Sequence, residues 1–389
     1  MKIITDSDSL AAACETFAAR PYVTVDTEFI RETTYWPLLC LIQIACDGYE
    51  VIVDPLADGI DLAAFYALMK NEDVVKVFHA ARQDIEIIHH QAGIIPAPLF
   101  DTQVAAMVCG FGDSVSYENL VRQLADARVD KSSRFTDWKR RPLSDKQLAY
   151  ALSDVTHLRV AYKKLKSQLD ASGRAGWLAE EMAVLASPQT YDGDPEMAWK
   201  RVKFRGRNRK ALAVFIEVAK WREIQAQRDN VPRRRVLRDD ALSEIALHAP
   251  GDKEALARLR AVPRGFERSR FADGLLAAID AGKQRDPDSL PELDERKSSA
   301  PKQNGLVELL KVALRIASER HNVAQKLIAN VPDLEQIAID DNASVPALKG
   351  WRRELFGADA LALKQGRLCL VVADGKVALR PNGTPPAGG

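Results

Sequence analysis

A chain of 389 residues is longer than one ordinary domain and predicts two or three. With 47% hydrophobic and 28% charged residues it has apolar material for several cores, which excludes disorder over most of its length. Five cysteines, an odd number with no CxxC pair, support neither a zinc knuckle nor a disulfide framework. Asp6 and Asp8 stand where an exported protein would carry an apolar leader, and no uninterrupted apolar run nears the ~20 residues of a membrane span. The expectation is a cytoplasmic protein with no membrane partner. The first elements alternate in type. Tyr22–Asp26 is a strand ending on a carboxylate, Leu38–Ala45 and Glu50–Val53 are apolar β-rich runs, and three strands in succession predict a meander. A helix over Leu62–Met69, a strand over Val74–Phe78 and a helix over Ala80–Ala92 closed by Gly93 complete an α/β pattern with a mixed sheet. From Thr102 onward the periodicity is helical throughout, including Ser116–Ala125 and Ser144–Leu169.

The net charge of +1 conceals two opposed blocks. Residues 1–100 carry 15 Asp/Glu against 6 Lys/Arg, a net of −9, and residues 199–240 carry 14 Lys/Arg against 5 Asp/Glu, a net of +9. An acidic block followed by a basic one suggests cations in the first and phosphates on the second, with solvated surface as the plainer alternative. A turn-rich connector at Ser187–Pro195 and a Pro-, Ser- and charge-rich one at Arg285–Asn304 leave two helical units. At an offset of 92 these look like copies: Asn230-Val231 falls on Asn322-Val323, and Leu242, Ile245 and Ala246 fall on Leu334, Ile337 and Ala338.

Chemistry is carried by carboxylates. Asp26 and Glu28 are two apart on a strand, so both point to one side and Thr27 points away. Asp84 sits where a strand gives way to a helix, a position Asp also takes for helix-dipole reasons alone. Tyr150 and Asp154, at i and i+4 in a helix opened by the capping pattern Ser144-Asp-Lys-Gln147, lie one above the other on the border of the apolar face. Together the four carboxylates supply hard oxygen ligands suited to Mg²⁺ or Mn²⁺. Such clusters hold two ions for in-line phosphodiester hydrolysis.

The order DxE, Asp, YxxxD resembles the DEDD exonuclease superfamily in its tyrosine-bearing subgroup. Asp26-Thr-Glu-Phe-Ile-Arg31, Tyr35-Trp-Pro37, Leu41-Ile-Gln-Ile44, His79-Ala-Ala-Arg-Gln-Asp84, Phe100-Asp-Thr102, Ser116-Tyr117, Asp137-Trp138 and Arg141-Pro-Leu-Ser144 are similar to bacterial ribonuclease D, over nearly the whole chain. The helical units resemble the HRDC domains shared with RecQ-type helicases, the first through Trp221-Arg222, Asn230-Val-Pro-Arg233 and Val236-Leu-Arg-Asp239. The second departs, with Ala324 and Gln325 in place of Pro232 and Arg233.

The resemblance implies a ribonuclease-H-like α/β exonuclease domain, a mixed sheet flanked by helices, over residues 1–170. A linker at 171–204, a first HRDC domain at 205–284, a linker at 285–304 and a divergent all-α HRDC-like domain at 305–380 would follow. It implies a 3′–5′ exoribonuclease that releases nucleoside 5′-monophosphates from precursor tRNA and other structured RNA with a single-stranded 3′ end; a monomer is a separate expectation, with the oligomeric state open. Asp26 would bridge two divalent cations, Glu28 and Asp154 would complete one site, Asp84 would hold the second ion through water, and Tyr150 would orient the attacking water. Phe29, Tyr35 and Trp36 are candidates for stacking on terminal bases, with core packing the alternative. Arg31, Arg82, Lys131, Arg134, Arg233 and Arg234 are candidates for phosphates, with ordinary surface charge the alternative. A DNA 3′–5′ exonuclease and a non-catalytic nucleic-acid-binding protein on the same fold remain open at this point.

Overall fold

The computed structural model describes residues 3–130, 136–204, 206, 208–291 and 304–383. In chain order come β1 (Ile3–Ile4), α1 (Ser7–Ala18), β2 (Tyr22–Ile30), β3 (Leu38–Cys46), β4 (Tyr49–Val53), α2 (Ala63–Lys70), β5 (Val75–Phe78), α3 (Arg82–Ala92) and β6 (Leu99–Asp101). Helices α4 (Thr102–Val108), α5 (Tyr117–Ala125), α6 (Asp145–Ser172) and α7 (Ala175–Leu185) follow. The strands form one sheet in the order β1-β4-β3-β2-β5-β6. The expected meander is there, β2, β3 and β4 pairing antiparallel, and β5 and β6 extend it in parallel, which makes the sheet mixed. Sequence reading passed over the two-residue β1, which pairs parallel with β4 at the far edge.

Alternation along β2 decides what each face carries. Val23 and Val25 enter a core with Phe17, Phe65, Ile85 and Ile88 from α1, α2 and α3. The opposite set, Thr24, Asp26 and Glu28, faces α6, and the Thr24 hydroxyl donates to the Val155 carbonyl at 2.9 Å. Helix α6 starts in a capping box, the Ser144 hydroxyl accepting from Gln147 N and the Gln147 side chain accepting from Ser144 N, and stops at Gly173 with φ 67°. Leu148, Ala151, Val155 and Leu158 bury its inner side, which leaves Tyr150 and Asp154 half-buried at the margin.

The first helical unit comprises α8 (Arg209–Arg228), α9 (Arg233–Val236), α10 (Asp239–His248), α11 (Lys253–Ala257) and α12 (Ala272–Gln284). Its core gathers Phe215, Val218, Leu242, Ile245, Leu275 and Ile279. Helix α12 lies so close on α8 that a Cβ added at Gly282 would stand 2.5 Å from Val214 Cα.

The second unit has α13 (Asn304–His321), α14 (Gln325–Ile328), α15 (Val331–Ile339) and α16 (Gly350–Arg352), the last running through a π turn (Arg353–Gly357) into α17 (Ala358–Lys364). It ends in an antiparallel hairpin of β7 (Leu368–Ala373) and β8 (Lys376–Pro381). The hairpin corrects the all-helical expectation for this region. Asp374 and Gly375, with φ 51° and 71°, make the two-residue turn that this pair favours between apolar runs.

The offset of 92 holds in the backbone: α9 maps onto α14, and Asn230 and Asn322 are both left-handed, with φ 47° and 50°. The second unit does not have a core to itself. Leu310, Leu314, Ile328 and Trp351 belong to one apolar cluster with Val108, Leu120, Leu158 and Leu178 of the α/β unit.

Candidate active site

Where β2 runs out, Asp26 and Glu28 meet Asp154 of α6. Each of the three offers one carboxylate oxygen within 4.8 Å of the others. Opposite this point the pairing shifts from Glu28 with Leu41 to Phe29 with Leu39, which leaves Cys40 of β3 as the extra residue of a bulge beside the site. Asp84 reaches the site from the other side of the strand. It sits in the first turn of α3, is 7% exposed, and its carboxylate accepts a hydrogen bond from the Thr27 hydroxyl. Thr27, pointing away from the pair as alternation requires, thereby ties the fourth carboxylate to the strand that carries the first two. All four, with Tyr150, line one cavity of about 390 Å³.

The approach to Asp84 is held by a buried side chain. Asp101 caps α4 and takes the backbone N–H groups of Ala80 at 3.0 Å, Ala81 at 2.8 Å and Gln103 at 2.8 Å. That grip keeps Ala80 in a left-handed conformation, φ 59°, and fixes where α3 begins. On the α6 side, Tyr117 donates from its hydroxyl to the carbonyls of Asp154 at 2.6 Å and Ser153 at 2.9 Å.

Crowding anions out of water raises their proton affinity. Burial lifts Asp26 well above the usual carboxylate range, and the charges of Asp84, Asp154 and Glu28 add to it. Glu28 is pushed up to about 8 by burial and then by Asp154 and Asp84. Asp84 rises to about 7 through burial, with the Thr27 hydrogen bond pulling the other way. A cluster of this kind is stable only with positive charge among its oxygens. Gln43, the cross-strand partner of Asp26, is fully buried, and neither of its amide atoms is hydrogen-bonded among the described residues. Hard, anionic, closely spaced oxygen donors fit a hard divalent cation.

The remaining sequence candidates are placed as follows. Phe29 lines the cavity. Arg82, on the first turn of α3, and Arg234, on α9, are exposed. Trp36 has one face covered by His90, with ring centroids 3.8 Å apart and 7° between planes, and its neighbour Tyr35 is buried. Arg31 is spent on Glu86 at 2.8 Å through both terminal nitrogens. Arg233 is held by Glu223 and by the Tyr35 hydroxyl, away from the cavity, because α8 buries a carboxylate that needs it. Trp36, Arg31 and Arg233 are therefore engaged within the chain. Lys131 and Arg134 lie outside the described residues. His79, Gln83, Ser116, Tyr117 and Glu118 also line the cavity, and sequence reading gave none of them a role. Only the cap at Ser116 carried a local signal, and it marks a helix start.

A mixed sheet whose central strand, a helix start and a long crossing helix bring four carboxylates into one cavity defines a nuclease of the metal-dependent 3′–5′ exonuclease class. Residues 1–170 match a family described as 3′-5′ exonuclease, and residues 211–279 match the HRDC domain. The chain is 57% identical to ribonuclease D of Nitrobacter hamburgensis, over 97% of this chain and 98% of that one. It is 50% identical to ribonuclease D of Granulibacter bethesdensis, over 96% and 95%. Its fold superposes on Escherichia coli RNase D, an exoribonuclease involved in structured RNA processing, with a TM-score of 0.80 and 28% identity, covering 94% of this chain and 98% of that one. The chain belongs to the ribonuclease D family and is an exoribonuclease; enzymes of this type use divalent metal ions. No helix among the described residues is long and apolar enough to cross a membrane.

Proposed function

We propose that Asp26, Glu28, Asp84 and Asp154 hold two divalent cations, Mg²⁺ or Mn²⁺, and that the chain removes nucleotides one at a time from RNA 3′ ends as 5′-monophosphates. The carrying observation is the set of carboxylate oxygens from β2 and α6 lying within 4.8 Å of one another in a cavity that Asp84 shares. Bound there, the ions would supply the acidified water and the charge compensation that phosphodiester hydrolysis needs. Asp26, which feels the charges of Asp84, Asp154 and Glu28 together, would serve both ions. Tyr150, one turn before Asp154, orients the nucleophile by hydrogen bonding. A phenol whose ordinary pKa is ~10 is a poor base at neutral pH. Phe29, on the cavity wall, stacks on the terminal base.

The substrate class we propose is precursor tRNA and other structured RNA with a single-stranded 3′ end. The part that the Escherichia coli relative takes in structured RNA processing supports it. So does the exposed Arg234 in the basic block. The domain plan proposed is a nuclease domain over 1–170, an HRDC domain over 205–284 and a second, divergent copy over 305–380, supported by the offset of 92 in backbone and sequence. All four carboxylates come from one chain, in keeping with action as a monomer. Five free cysteines suit a reducing cytoplasm.

The test is hydrolysis of a 3′-extended tRNA in Mg²⁺ with mononucleotide release followed by chromatography. Asp26→Asn is expected to lower the rate at least ~10³-fold with RNA affinity retained. Wild-type-rate cleavage by that variant would end the catalytic assignment, and faster degradation of a matched DNA strand would end the RNA assignment.

A further inference from the structure

The corner of the first helical unit that resembles a nucleic-acid motif is occupied by the nuclease itself. Glu223 on α8 is 1% exposed, a costly place for a carboxylate unless its oxygens are fully met. They are met by Arg233 Nε and Nη2, each at 2.6 Å, by Arg201 Nη1 at 2.9 Å, and by the Tyr35 hydroxyl at 2.5 Å. The same hydroxyl accepts from Arg233 Nη2 at 2.8 Å and from Gln227 Nε2 at 3.1 Å. Asn230, in its left-handed turn, accepts from the backbone N–H of both Tyr35 and Trp36, at 3.1 and 3.0 Å. Glu223, Gln227, Asn230 and Arg233 thus converge on one tyrosine and its neighbour.

Tyr35 belongs to the loop that joins β2 to β3, beyond the register shift opposite Glu28 and Phe29. Within that loop Arg31 donates from Nε to the Tyr35 carbonyl at 3.2 Å and forks onto Glu86 of α3, two residues past Asp84. A continuous polar strut therefore runs from Glu223 through Tyr35 and Arg31 to the helix that presents Asp84, and along the loop to the strand that presents Glu28. Apolar packing alone would have joined the two units with looser geometry. Directional bonds to a buried charge fix one distance and one orientation.

The repeat applies the same device on the other side of the site. Asn322, 92 residues after Asn230, donates to the Cys109 carbonyl at 3.2 Å, Ala324 N donates to the Met107 carbonyl at 2.9 Å, and Lys326 N to Asp113 at 3.0 Å. Gly110 is the only residue type that fits beneath, since a Cβ there would fall 2.2 Å from the Asn322 side chain. That loop leads into Tyr117, which holds the α6 backbone at Asp154.

On the reading of Glu28 and Asp84 as metal ligands, we propose that Tyr35, Glu223 and Arg233 are positioning residues for the chemistry. The first helical unit, through them, sets the separation of Glu28 and Asp84, and its Asn230–Arg233 corner serves the nuclease in place of RNA.

The test uses the full chain and a 5′-phosphorylated diribonucleotide, which has no body to rest on the helical unit. Arg233→Ala and Tyr35→Phe are expected to lower kcat about tenfold or more with KM within about twofold, and to raise the Mg²⁺ concentration for half-activity. Tyr35→Phe removes a single oxygen and leaves the Glu223–Arg233 pair, so it decides the matter if Arg233→Ala does not fold. Purely structural glue would lower the melting temperature and leave kcat and the Mg²⁺ midpoint at wild-type values; that result overturns the proposal. So does a defect confined to long RNA with dinucleotide turnover intact, which would make the corner an RNA contact. Asp26→Asn, run alongside, separates the two readings. Wild-type turnover there removes the metal-ligand assignment and this proposal with it, whereas an inactive Asp26→Asn beside a fully active Arg233→Ala removes the strut alone.

Discussion

Chelating the metal and raising the pH should loosen the nuclease fold, with Asp84 contributing to the slope beside Glu28 and Asp26. In the unfolded chain its carboxyl loses its proton near 3.8, and in the folded, metal-free chain burial holds that proton up to about pH 7. Between those values the folded state binds more protons than the unfolded one, so stability is full below about pH 4 and is lost as pH rises through 7. A rise from 3.8 to about 7, at about 1.4 kcal/mol per unit, amounts to about 4 kcal/mol for a side chain only 7% exposed. At roughly 2–4 °C per kcal/mol that is a fall in Tm on the order of 10 °C. Glu28, pushed up to about 8, extends the decline further. Added Mg²⁺ supplies the positive charge that the proton supplied, so the gap between Mg²⁺-loaded and EDTA-treated melting curves should widen from pH 5 to pH 8. Calorimetric melts at four pH values, with and without Mg²⁺, measure this directly. Asp84→Asn should flatten the EDTA series and leave that variant more stable than wild type at pH 8 in EDTA. Equal slopes for wild type and Asp84→Asn would refute the reasoning.

Tyr150→Phe should lower kcat roughly 10²-fold with KM little changed, measured under single-turnover conditions, if the hydroxyl orients the nucleophile. Gly282→Ala should destabilise the first helical unit by about 1–3 kcal/mol, seen as a lower urea midpoint, because its methyl would meet the α8 backbone at Val214. Ser144→Ala removes the side-chain half of the cap on α6 and should cost about 1 kcal/mol in the same assay.

The parts of this structure legible in the sequence are those decided locally. Alternation along β2, the cap at Ser144 and Gln147, and the i, i+4 spacing of Tyr150 and Asp154 are properties of a few adjacent residues, and each appears in the fold as expected. Asp84 is different: its tie to Thr27 spans 57 residues, and the alternation that aims Asp26 and Glu28 together turns Thr27 away from them. Arg233 shows the limit more sharply. In a run of basic residues its type suggests a phosphate, and only the burial of Glu223, ten positions earlier on α8, diverts it inward. The hairpin at the end of the described chain was within local reach. Asp374-Gly375 between two short apolar runs is a turn signal, obscured by the helical periodicity before it.

The shared apolar cluster between the α/β unit and the second helical unit inverts the order that the chain suggests. The first helical unit follows the nuclease in sequence, yet the nuclease enters its core only through Tyr35 and Trp36 of the loop between β2 and β3. The second is the more distant in sequence, yet Leu310, Ile328 and Trp351 complete the core that Val108 and Leu178 begin. During synthesis the nuclease face around α4 and α7 must therefore wait, with its apolar side chains open, until residues beyond 304 emerge. A chain stopped at residue 284 would present that open face to solvent for good, and its aggregation would say nothing about RNA.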